Sequence, residues 1–477
     1  MSRFLAQESI HSARVYFLRV RSKISASRTR RSAKVGVRVD QAVVDSRGDQ
    51  GVLAFGQAFK DTGHKGIGRP LVGYGHGGRE SMPIEIIGMV GTRDASEIKG
   101  PLVDGPVVDW MDGPVIDPDY LTDISRAHDD GGFDRVLVGY GAVGPEGWAV
   151  ASSVLNSTKN LKVLVAHRPG FVQPVLLARM AATLDHLTGG GRIAIHFITG
   201  GDEADQRREG DFVAHDARYR RTREAMVVAR RLWSEDTPFD FEGEFYRYES
   251  AFSSVKPVTP EGIPFYFAGA SPPAIEVGAA AADVYAFWGE PRENVSARMD
   301  AINGVAATMS RTLRYSISLR PIIADTEEEA WEKAEWIAEE TARRIEMAKT
   351  RISGQRDSYE GLGGQRNATF SIDRDTSFTT SVGRKRLIDM SADKDVYDER
   401  LWMKVANLTG AAGNSTALVG TPEQVAEAML RYYDLGITTL LLKGFDPLAD
   451  TIDFGRRLVP LIRDGAAQRD ATLAESR

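Results

Sequence analysis

The stretch KVLVAHRPGFVQPVLLARMAATLDHLTGGGRIAIHFITGG, residues 162–201, shows the architecture in one unit. It opens with a short, nearly continuous apolar run at 162–168. Leu176, Leu177, Met180, Leu184 and Leu187 then recur at helical spacing. Three glycines, Gly189 to Gly191, break the helix, and a second apolar run follows at 192–200. Runs of this kind, rich in Val, Ile and Phe, fit parallel strands buried on both faces. Six more occur at 84–90, 135–140, 264–270, 284–290, 315–323 and 438–444, with helical patterns between them. One such helix is set to start with Thr421 as its cap and Pro422 at its first position, ahead of Val425, Met429 and Tyr432.

Eight strand–helix alternations predict an α/β fold of the TIM-type (β/α)8 barrel class. An open doubly wound sheet is the alternative. Two excursions interrupt the pattern. Residues 241–249 read as a strand or hairpin arm, and 346–415 read as an insertion after a helix at 326–345. An insertion of that length acts as a lid or lacks fixed structure. A near-duplication, 105–109 and 113–117, is too short for an architectural repeat.

The domain is expected over residues 82–465, followed by a tail at 466–477. The first 38 of the 477 residues carry ten Lys/Arg against one acid, Glu8. That composition fits an organelle presequence, a disordered basic arm, or upstream sequence wrongly joined to the gene. With the glycine-rich stretch after it, 1–81 reads as a poorly ordered extension. The expected compartment is cytoplasmic, or mitochondrial if the arm is a presequence.

Composition removes several function classes. The chain has no cysteine, which excludes disulfides, thiolate zinc sites, Fe–S clusters and a cysteine nucleophile. A formal charge of −6 argues against a general nucleic-acid binder. No apolar run approaches a membrane span. All eight histidines lie at or before His215, without His-Glu-x-x-His or another dense ligand cluster, so no metal is expected.

Barrel active sites lie at the C-terminal ends of the strands. There the chain carries Tyr140, His167, Arg168, Thr199, Gly200, Ser271, Trp288, Glu290, Arg320 and Lys443. Gly269 to Ser271 before Pro272 could cradle a phosphate at a helix N-terminus, or could be a plain turn with Ser271 as cap. Arg168 and Arg320 could offer paired donors to an anion, or could be neutralised by internal carboxylates. Ser316, Ser318 and Arg320 share one strand face.

Residues 178–192, Ile-Thr-Gly-Gly at 198–201, His-Asp-Ala-Arg-Tyr at 215–219 and Tyr-Phe-Ala-Gly-Ala-Ser at 266–271 resemble the bacterial-luciferase-like flavin monooxygenases. Residues 283–291 and 416–420 look like the alkanesulfonate monooxygenase branch in particular. The likeness runs from about residue 83 to about 462, in motif order. It implies a barrel that takes reduced FMN from a separate NAD(P)H-dependent flavin reductase and uses O2 to oxygenate a small organic substrate. In the alkanesulfonate branch the C–S bond is cleaved to sulfite and an aldehyde. A homo-oligomer is implied as well.

Carried over by position, His215, Tyr219, Ala270, Ser271 and Thr199 match flavin contacts, and His167 or Arg168 falls near another. Arg168 and Trp288 are the expected substrate contacts and Arg320 the expected catalytic residue. The branch has Arg-x-His on strand seven, where this chain has Ser318 and Arg320. Gly144, Phe445 and Ala411 or Ala412 stand near its Cys, Tyr and loop Arg. The flavin frame is kept while the substrate side has changed. Two other functions remain open: a deazaflavin-dependent oxidoreductase on the same barrel, and a non-catalytic flavin-binding protein.

Overall fold

The computed structural model describes residues 84–93, 115–142, 144–200, 203–360, 381–411 and 415–475, with backbone only at 204 and 347–360. The expected extension 1–81, the domain start at 82 and most of the 105–117 duplication lie outside these residues.

Among the described residues the strands are β1 (Glu85–Val90), β2 (Arg135–Val138), β3 (Lys162–His167), β4 (Ile193–Phe197), β5 (Phe239–Glu242), β6 (Arg247–Ala251), β7 (Phe265–Ala268), β8 (Val284–Trp288), β9 (Arg314–Ile323), β10 (Val396–Tyr397), β11 (Leu401–Trp402), β12 (Ala417–Gly420) and β13 (Ile437–Leu442). The helices are α1 (Pro118–Asp130), α2 (Gly147–Ser157), α3 (Pro174–Leu187), α4 (Glu203–Arg208), α5 (His215–Ser234), α6 (Pro272–Ala281), α7 (Arg292–Ala307), α8 (Glu327–Glu360), α9 (Val382–Asp393), α10 (Lys404–Thr409), α11 (Pro422–Asp434), α12 (Pro447–Arg457) and α13 (Val459–Glu475).

Parallel strands follow the order β9-β13-β1-β2-β3-β4-β7-β8, and β8 pairs back onto β9 to close the ring. The eight predicted runs are the eight barrel strands, so the fold is a TIM barrel. Alternation gives each strand two jobs. Val163, Val165, Ile193, Ile195, Phe265 and Phe267 belong to the large core shared with the helices. Ile87, Leu164, Ala194, Tyr266, Val284 and Leu441 form a separate cluster inside the ring.

Below that plug lies a polar floor. Glu85 accepts from Arg135 Nε at 3.0 Å, Tyr266 Oη at 2.5 Å and Thr439 Oγ1 at 3.2 Å. Four strands, β1, β2, β7 and β13, thereby meet on one carboxylate.

The hairpin expected at 241–249 is β5 paired antiparallel with β6. Three sequence expectations are corrected. The helix read as 326–345 runs to Glu360, through Gly354, because a lone glycine costs a helix only about 1 kcal/mol. The insertion 346–415 contains α9 and α10, and β10 pairs antiparallel with β11, which pairs antiparallel with β12 beside β9. Residues 459–475 are helical, so the stretch read as a tail from 466 is mostly α13.

Thr421 caps α11 as predicted. Its side chain accepts from the Gln424 N–H, and the Gln424 side chain returns to the Thr421 N–H. Thr421→Ala is expected to lower stability by about 1 kcal/mol in urea unfolding, with an unchanged denaturant slope.

Candidate functional site

The upper part of the barrel is hollow. The deep interior positions Ile87, Leu164, Ala194 and Tyr266 are closed to solvent. Two residues further along their strands, Met89, His196 and Ala268 are partly exposed, as are Ala286 and Ser318 on β8 and β9. Exposure on the inner face of a closed ring means space. Small side chains create it, because Gly139, Ala166, Ala268, Ala286 and Ser318 occupy places where larger residues would fill the ring. The strand register sets Ala166 beside His196, Ala268 beside Ala286, and Trp288 beside Ser318.

His196 stands in this hollow, and burial pushes its imidazole down to about 4. It is therefore neutral near pH 7, and its Nδ1 has no hydrogen-bond partner. The sequence reading missed it. The signal was the alternation of residues 193–197, which sets Ala194 and His196 on one face.

At the rim the structure brings several expected residues together. His215 opens α5 and Tyr219 lies one turn on, with ring centroids 5.1 Å apart. The His215 Nδ1 is 2.7 Å from Asp216. Burial raises the Tyr219 pKa, and the neighbouring Ser271 hydroxyl works against that rise. Ser271 sits at the N-cap of α6 without capping it. Its side chain faces Tyr219 instead.

Gly269 lies beneath them. A Cβ there would come within 2.4 Å of Ala274 Cβ, so the turn needs glycine for close packing. Pro272 and Pro273 carry no N–H, which removes two donors from the first turn of α6. An anion at this turn would therefore meet mainly the hydroxyls of Tyr219 and Ser271, a correction to the simple helix-terminus picture.

Other expected residues are not brought into the hollow. His167 faces outward, 6.4 Å from the Trp148 ring and 6.0 Å from Phe197. Burial lowers it to about 4. Thr199 turns to α5, with its Oγ1 3.3 Å from that of Thr222.

Arg168 donates to Asp205 at 2.7 Å and Glu209 at 2.8 Å and lies over the Tyr140 ring. Of the two sequence readings, the internal carboxylate pair describes it, and both of its terminal nitrogens are engaged. Arg320 is fully buried, with its guanidinium over the Phe445 ring at 4.4 Å and its strand joined to β12. It does not open into the hollow as Ser318 does. Trp288 stands at the end of β8, partly exposed, beneath Gly383 of α9.

Among the described residues, no group of three or more His, Cys, Asp or Glu could hold a metal ion, and no helix is long and apolar enough to cross a membrane.

An (β/α)8 barrel with a hollow at the strand ends and a hydroxyl-bearing rim defines a small-molecule site. Over residues 98–439 the sequence matches the family described as luciferase-like monooxygenases, and the chain belongs to that family. Solved structures share the fold. EDTA monooxygenase from Chelativorans sp. BNC1 superposes with a TM-score of 0.59 at 16% identity, over 80% of this chain and 94% of that one. The oxygenating constituent of 3,6-diketocamphane monooxygenase from Pseudomonas putida, in complex with FMN, gives 0.52 at 17% identity, over 80% and 98%. An F420-dependent secondary alcohol dehydrogenase gives 0.53 at 17% identity, over 80% and 100%.

Proposed function

We propose that this chain is the oxygenase of a two-component system. It takes reduced FMN from a separate NAD(P)H-dependent flavin reductase and uses O2 to oxygenate a small organic substrate. The observation that carries this reading is the hollow around His196, opening beside Tyr219 and Ser271. The residues present fit a flavin. The hydroxyls of Tyr219 and Ser271, with the Ala270 backbone, suit its phosphate end, and the partly exposed His196 ring lines the space left for the rest of the ligand. Bound reduced flavin supplies the two electrons that activate O2.

The protein's own contribution is position and shielding. Met89, Leu137 and Trp288 give the hollow apolar walls that exclude water, which would otherwise divert the reaction to hydrogen peroxide. His196, neutral at pH 7, holds or passes a proton without adding charge. Helix α9 covers part of the rim as the closing element of the insertion.

The proposed substrate class is a small organosulfur compound such as an alkanesulfonate, supported by residues 283–291 and 416–420. The balance is then alkanesulfonate, O2 and reduced FMN giving aldehyde, sulfite, oxidised FMN and water. Arg168 is withdrawn from anion binding by its two carboxylates. Arg320 keeps a place through its charge, next to Lys443 at the end of β13, instead of through open donors.

The test combines purified protein, a flavin reductase, NADH, FMN and a sulfonate panel under 18O2. Sulfite and an 18O-labelled aldehyde are the expected products. An 18O-labelled product from another substrate keeps the oxygenase and discards the sulfonate. Hydride transfer with reduced F420, and no substrate-dependent oxygen uptake with FMN, would overturn the reading.

A further inference from the structure

Glu290 follows β8 and is almost wholly buried, at 1% exposure. Two arginines from different elements end on its carboxylate. Arg298 of α7 donates to Oε1 at 2.8 Å, and Arg386 of α9 donates to Oε2 at 2.5 Å. The Glu290 backbone carbonyl accepts from Tyr432 of α11 at 2.8 Å, which fixes the residue itself. Each arginine leads to a different part of the site.

Arg298 sends its other terminal nitrogen to the Gly269 carbonyl at 3.2 Å, where the Tyr285 hydroxyl also donates at 3.0 Å. Gly269 begins the turn that carries Ala270 and Ser271. Arg386 belongs to the insertion. Gly383, one turn earlier on the same face of α9, lies so close to the rim that a Cβ there would be 3.7 Å from Ala270 and 3.8 Å from the Trp288 ring. The insertion helix therefore lies beside that turn, within reach of one added carbon, and is also tied to it through one buried carboxylate. The Glu290–Arg298 pair is buried and little screened by salt, whereas losing Arg386 would leave Glu290 held by Arg298 alone and free α9 from it.

We propose that Glu290 is a positioning residue that couples the docking of α9 over the barrel mouth to the shape of the Gly269–Ser271 turn. The inference rests on the reading of that turn as the flavin site. Coupling is reciprocal: a ligand that fixes the turn must hold α9 more firmly, and an undocked α9 must weaken that ligand.

The experiment follows hydrogen exchange of the α9 amides, 382–393, with and without reduced FMN under anaerobic conditions, in the full chain and in Arg386→Met and Arg386→Lys. In wild type, reduced FMN should slow α9 exchange by about 10-fold, within the usual range for coupled sites. Arg386→Met should speed α9 exchange without flavin, abolish most of the flavin-dependent protection and raise the FMN Kd by about the same factor. Arg386→Lys should recover much of each effect. Flavin that binds without changing α9 exchange in wild type would overturn the coupling, as would an Arg386→Met protein whose α9 exchange is unaltered. If reduced FMN does not bind wild type at all, the functional reading fails. The flavin-free comparison of wild type and Arg386→Met then still decides whether Glu290 anchors α9.

Discussion

Glu85→Ala is expected to destabilise the barrel by about 3–5 kcal/mol, the usual cost of removing one partner from a buried ion pair. The carboxylate is the common acceptor of Arg135, Tyr266 and Thr439. Arg135 is itself buried and bonded to the Val163 carbonyl, so it would be left with an uncompensated charge. Glu85→Gln keeps an acceptor and should cost less. Urea unfolding measures both variants, and a loss below about 1 kcal/mol for Glu85→Ala would remove the floor cluster from the account of barrel closure.

The same residue gives a pH dependence whose sign is fixed. Burial opposes the Glu85 charge, but Arg135, Tyr266 and Arg314 together lower its pKa to about 2. Its stabilisation is present above the ordinary carboxylate value near 4.5 and is lost as pH falls from there towards 2. Three histidines act earlier. Burial lowers His128, His167 and His196 to about 4. The unfolded chain takes up their protons first, so stability falls as pH drops from about 6.5 towards 4. Melting temperature should therefore drop clearly between pH 7 and pH 5. His167→Phe, set between the rings of Trp148 and Phe197, should reduce that drop.

Ala286→Phe is expected to abolish flavin binding while the protein stays folded. Ala286 faces the hollow and is partly exposed, so a phenyl ring would occupy ligand space instead of displacing core atoms. The expected loss is at least about 100-fold in affinity for reduced FMN, comparable to losing roughly 3 kcal/mol of binding. Anaerobic titration reads the affinity, and circular dichroism with urea unfolding reads the fold. Unchanged FMN affinity in a folded Ala286→Phe protein would mean that the hollow is not the flavin site.

The barrel was legible because each of its strands is a compact apolar run, and parallel strands declare themselves that way. The same property hid the orientation of the site. With both strand faces apolar, alternation tells which residues share a face but not which face looks inward. His167 and His196 are both near strand ends, and only closure of the ring shows that His196 faces the hollow. The fate of Arg168 was equally hidden, because Asp205 and Glu209 lie 37 and 41 residues away in sequence. In the insertion, β10 and β11 are two residues each and exist through pairing with each other and of β11 with β12, which leaves no local periodicity to read. The His215, Tyr219 and Ser271 group was readable only through the family resemblance, because spacing sets His215 and Tyr219 one helical turn apart but does not tie either of them to Ser271.

A crystal structure of the protein with FMN bound tests the central claim most directly. The account predicts the phosphate against the hydroxyls of Tyr219 and Ser271, and the ring system inside the barrel within hydrogen-bonding reach of His196. Flavin bound outside the ring of strands, or with its phosphate far from Ser271 and an empty hollow above His196, would contradict it.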